Sequence, residues 1–96
     1  MFGKPTTKEL PIPAIAAKDA KSFEILRIWI ANGNQHFCLK SMAWDDPAAW
    51  GLMLADVARH VAKSYQRDAG LDEAEALQRI RQGLEAEFAS PTDSSN

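Results

Sequence analysis

A single cysteine, Cys38, stands in 96 residues, so no disulfide can close within the chain and packing alone must hold it. A lone thiol of this kind suits a reducing cytoplasm. No apolar run approaches the roughly 20 residues a membrane helix needs, so membrane association is not expected. The opening Met1-Phe2-Gly3-Lys4-Pro5 lacks the apolar segment of a signal peptide, and export is not expected either. Positive charge is not in excess: 11 Lys and Arg face 13 Asp and Glu, a formal net charge of -2. A nucleic-acid binder gathers basic residues on one face, so that class is set aside. The chain also has no phosphate loop, dinucleotide fingerprint, paired catalytic carboxylates or recognised triad. These absences weigh against an enzyme, and no cofactor is called for.

What remains is a globular composition, 46% hydrophobic and 25% charged. A chain this short buries only about 60–65% of its unfolded surface, which leaves a thin core. The expected organisation is a flexible leader over 1–8, one α+β domain over 9–89 and a disordered tail over 90–96. Within Glu9-Leu10-Pro11-Ile12-Pro13-Ala14-Ile15, prolines alternate with apolar residues. Proline removes backbone donors, so this piece is expected as an extended arm or an edge strand.

Asp19 to about Ala31 is expected to be the first helix, with Asp19 or Ser22 as N-cap and Asn32-Gly33 as the stop. Its apolar residues, Phe23, Ile25, Leu26, Ile28, Trp29 and Ile30, would cover an arc of about 220°. One packing partner cannot cover such an arc. Gln35 to Lys40 alternates in a period of two and is expected as a strand, with Phe37 and Leu39 facing the core and His36, Cys38 and Lys40 opposite. A lone strand needs an edge partner, either the proline-rich arm or the same strand of a second copy.

Asp46-Pro47 opens the second helix as N-cap and first helical residue, and Gly70 ends it. Its apolar stripe is Trp50, Met53, Leu54, Val57, Val61 and Tyr65, flanked by Gly51, Ala55, Ala58 and Ala62, a row of small residues that would admit a neighbouring backbone. Asp72 and Glu75 form an acidic capping box for a third helix to about Ala89, with a narrow stripe of Leu77, Ile80, Leu84 and Phe88. Glu75 with Arg79, and Arg81 with Glu85, are spaced as surface ion pairs.

The run from Trp44 to Ala62, WDDPAAWGLMLADVARHVA, resembles a family of short bacterial proteins catalogued only as a domain of unknown function, DUF5076. Glu9-Leu10-Pro11-Ile12-Pro13, Leu26-Arg27-Ile28-Trp29 and Gly33-Asn34-Gln35-His36 are similar to it as well. The resemblance implies no activity and no catalytic residue.

Candidate chemistry is sparse. His36 and Cys38 on the strand, with Asp56 and His60 on the second helix, carry zinc-type donors, but no ligand motif joins them, and a satisfied His60 bonded to Asp56 explains them equally well. No metal is therefore expected. Cys38 with His36 or His60 as base lacks an orienting group and an activating helix N-terminus. Arg59, Lys63 and Arg67 share a helix flank, where an anion could bind with His36 and His60 nearby; a solvated face is the plainer account. Trp29, Trp44 and Trp50 are either core or interface anchors.

The expected fold is α+β: three helices with one or two short strands, helix-dominated. The expected function is a non-enzymatic, cytoplasmic, homodimeric interaction module with interface residues Trp29, Ile25, Ile28, Cys38 and Trp44. The alternative is a binder of a small anionic ligand or metal at His36, Asp56, Arg59, His60 and Lys63.

Overall fold

The structure, a computed structural model, describes residues 8–92. The predicted leader and tail therefore lie outside the described residues, except for Lys8 and Ser90–Thr92. The elements are α1 (Ala14–Lys18), β1 (Leu26–Ala31), β2 (Asn34–Leu39), α2 (Ala48–Ala69) and α3 (Glu73–Ala89). This is a helix-dominated α+β chain with three helices and one two-stranded antiparallel sheet. It divides into two compact units, one ending at Ala43 and the other starting at Trp44.

In the first unit, the expected long helix is absent. Leu26–Ala31 is a strand paired with β2, in the register Leu26 opposite Leu39, Ile28 opposite Phe37 and Ala31 opposite Asn34. The run Ile25-Leu26-Arg27-Ile28-Trp29-Ile30 is apolar at nearly every position, so it fits a period of two as well as 3.6. Its β-branched and aromatic residues settle the choice toward a pleated strand. Asn32 and Gly33 have φ of 53° and 77°, the two left-handed residues that a two-residue hairpin turn requires. The dipeptide read as a helix stop is the hairpin turn itself. The strand at 35–40 consequently has its partner within the chain, in β1.

The arm is not a strand either. Pro13 leads into the five-residue α1, with the Ala16 and Ala17 amides donating to the Pro13 carbonyl. Asp19, expected as a helix cap, instead accepts from the Lys21 amide at 2.9 Å and shapes the turn into β1.

The second unit is a helical hairpin. Pro47 already has helical dihedrals, and the Asp46 carboxylate accepts from the Ala48 amide at 3.0 Å, so the Asp-Pro start works as expected. Gly70, with φ of 71°, closes α2 in the left-handed conformation: its amide donates to the Gln66 carbonyl and the Leu71 amide to that of Tyr65. Asp72 caps α3 by accepting from the Glu75 amide at 3.1 Å. Ala62 on α2 and Ala76 on α3, 0% and 3% exposed, are the fully buried apolar residues among those described. Both are small, and small residues are what lets two helix backbones lie close. Neither predicted ion pair of α3 forms, since Arg79 donates instead to the Gln82 side chain.

Candidate functional site

The hairpin sets its side chains by alternation. Directly opposite residues share a face, so Leu26, Ile28 and Ile30 of β1 join Phe37 and Leu39 of β2 on one side. Arg27, Trp29, His36 and Cys38 occupy the other. The first face is strongly apolar and uncovered: Ile28, Ile30, Phe37 and Leu39 are 51%, 71%, 57% and 55% exposed. No side chain described in this unit is fully buried.

The backbone adds a second open feature. The Lys40 amide donates to the Ile25 carbonyl at 3.0 Å, which makes 25 and 40 a hydrogen-bonded pair. Alternation then gives 27 with 38, 29 with 36 and 31 with 34 the same role. The amides and carbonyls of Leu26, Ile28 and Ile30 therefore point away from β2, along the free edge. A groove of about 670 Å³ follows that edge; every β1 residue lines it, and Lys8, Glu9 and Leu10 form part of its wall.

The polar face is organised around Arg27, which is bonded to Glu9 and donates to Glu24 at 3.1 Å. The bond to Glu9, and then that to Glu24, hold the guanidinium above its ordinary pKa. Lys40 sits 5.6 Å from the centre of the Phe23 ring. His36 shares a hydrogen bond of 3.1 Å between Nε2 and the Ala31 carbonyl, which ties it to the hairpin.

The predicted ligand residues fall into two groups. His36 belongs to the first unit, while Asp56, Arg59, His60 and Lys63 occupy successive turns of α2 in the second, all exposed. Asp56 is engaged by Arg59 at 3.1 Å and not by His60. Among the described residues, no three His, Cys, Asp or Glu side chains gather as a metal site. Arg67 is bonded to Asp68 at 2.8 Å; that bond raises the pKa of the guanidinium and holds the carboxyl below its ordinary value.

The predicted interface residues are distributed by the strand geometry. Trp29 lies on the polar face of the sheet with Cys38, Ile25 precedes β1 in the same phase as Trp29, and Ile28 lies on the apolar face. A helix would have set Ile25, Ile28 and Trp29 on one side. Trp44, 40% exposed, belongs to the second unit and packs edge-on against Trp50, with ring centres 5.4 Å apart. Sequence reasoning missed the exposed apolar set formed by Ile30, Phe37 and Leu39 together with Ile28. The signal that could have found it is Asn32-Gly33 between two apolar runs.

Fold and surface together define a small helix-dominated α+β protein with an uncovered apolar sheet. The chain belongs to the family described as Domain of unknown function (DUF5076), whose model matches residues 9–92. Among solved structures it is similar to a protein of the photosynthetic bacterium Rhodopseudomonas palustrus described as a "putative pyruvate dehydrogenase". The two are 36% identical with a TM-score of 0.74, over 97% of this chain and 95% of that one. Among curated proteins none matches. No helix among the described residues is long and apolar enough to cross a membrane.

Proposed function

We propose that this protein is a homodimeric interaction module, non-enzymatic, acting through the hairpin of its first unit. The observation that carries the reading is the apolar face formed by Ile28, Ile30, Phe37 and Leu39, each more than half exposed. A two-stranded sheet is marginal in water unless more strands or a packed face support it. Covering the exposed half of one such side chain is worth about 1 kcal/mol. Covering all four on each protomer would supply roughly 8 kcal/mol, no more than the cost of bringing two chains together, and a contact that covers part of the face supplies less. Apolar cover alone leaves little surplus, so directional bonds must add to it.

The single free thiol, exposed Cys38, supports a cytoplasmic site of action. The activity in the structural neighbour's description is not part of the proposal, and Arg27, Arg59 and Arg67 are each paired with a neighbouring carboxylate. The anionic-ligand alternative at α2 has less behind it, since Arg59 is engaged by Asp56 and His36 belongs to the other unit.

Sedimentation of the intact chain from micromolar to millimolar concentration is the test. A monomer–dimer equilibrium is expected, and Ile28→Lys should weaken it roughly 30-fold, since about 1 kcal/mol of apolar cover is lost on each protomer. A monomer across the whole range overturns the reading.

A further inference from the structure

We infer that the partner copy joins along the free edge of β1, antiparallel and in one register, with Ile28 opposite the partner's Ile28. The inference rests on the self-association reading and names the contact it uses. Three observations converge on it. Among the described residues, the outward amides and carbonyls of Leu26, Ile28 and Ile30 form an unpaired ladder on an edge strand, which is a template for another strand. The groove along that edge is lined by β1 residues of both faces, as a site for an extended chain must be.

The third observation is self-complementarity. In an antiparallel pair about a two-fold axis, only registers that set outward-facing residues against one another are allowed. Centring on Trp29 overlaps as many residues of the strand but sets Arg27 against the partner's Ala31 and Trp29 against itself, so the centre on Ile28 is favoured by what it pairs. It places Leu26 against the partner's Ile30 on the apolar face, and Arg27 against the partner's Trp29 on the other. A guanidinium beside an indole is a favourable pair, and the two-fold axis makes it twice. Centring on Arg27 would oppose two like charges. Pairing through β2 about Phe37 would set Gln35 against the partner's Leu39 and leave β1 open. The β1 pairing builds a four-stranded sheet in which Leu26, Ile28 and Ile30 of the two copies pack side by side at the seam, while Phe37 and Leu39 on the outer strands stay open.

Hydrogen exchange of the native chain, read amide by amide over a range of concentrations, tests this. On dimerisation the amides of Leu26, Ile28 and Ile30 should exchange at least ~10-fold more slowly, while those of Gln35, Phe37 and Leu39, outward on β2, stay fast. Oxidation of Ile28→Cys in a Cys38→Ser background should cross-link the dimer, because hydrogen-bonded pairs sit about 5.5 Å apart at Cα, within disulfide range. A dimer whose β1 amides remain fast, or one that cross-links through Phe37→Cys and not Ile28→Cys, overturns the register and leaves the dimer standing. Slow β1 amides in a chain that sediments as a monomer also overturn it, since the edge is then covered from within. Absence of any dimer removes both readings together.

Discussion

The two units of this chain handle the same shortage of core in opposite ways. The helical hairpin satisfies its backbone inside each helix, caps its ends with Asp46, Gly70 and Asp72, and buries Ala62 and Ala76. The β-hairpin closes its turn equally well through Asn32 and Gly33, yet no described side chain in its unit is fully buried. A helix finishes its hydrogen bonds locally, whereas a strand always leaves an edge. What separates the units is thus where their unmet demands lie. Both units leave large apolar side chains exposed, Leu54, Tyr65, Leu84 and Phe88 among those of the helices; the sheet alone leaves an open backbone edge as well.

The comparison can be broken most sharply at the helix pair. Ala62→Leu adds bulk at a site with no exposure and should cost about 1–3 kcal/mol by overpacking. That predicts a fall in melting temperature of roughly 4–8 °C per kcal/mol, followed by helical circular dichroism. An unchanged melt would mean that α2 and α3 do not need their close approach.

A smaller pair of effects should have opposite signs. Gly70 has positive φ and nothing within 4 Å of where a Cβ would stand, so Gly70→Ala should destabilise through backbone conformation alone, by about 1 kcal/mol or somewhat more. Gly83, inside α3 and facing open space, lacks that constraint, so Gly83→Ala should stabilise by about 1 kcal/mol. Denaturant titration of both variants checks the signs, and equal signs would contradict the capping account.

The smallest effect is electrostatic. Bonding to Arg67 lowers the folded-state pKa of Asp68, so the pair favours the folded chain above the ordinary aspartate value of 3.8. That contribution is lost as pH falls through the lowered pKa, and nothing changes near neutrality. Both groups are exposed, so the influence on stability is slight. An NMR titration should find Asp68 below the ordinary value, and Arg67→Gln should return it there.

How much could be read without coordinates follows the same division. Asp46-Pro47, Gly70 and Asp72 act on neighbouring groups of the backbone, so the bounds of α2 and α3 were readable from the residues themselves, although Glu75 does not return the bond of a full capping box. The alternation of His36, Phe37, Cys38 and Leu39 was readable for the same reason. Phe23 to Ile30 was not, because its near-continuous apolarity satisfies both periodicities and only pairing across Asn32-Gly33 chooses between them. The donor set of His36 with Asp56 and His60 was overread: shared chemistry carried no information about position.

The sequence by itself determined the helix-dominated class, the capped helical hairpin and the excess of apolar side chains over what a small core can hold. These are consequences of composition and of contacts a few residues apart. Only the tertiary structure decided that part of the excess becomes one face of a sheet with an open edge. Strand pairing is a contact between separate segments, and its register determines which side chains share a face.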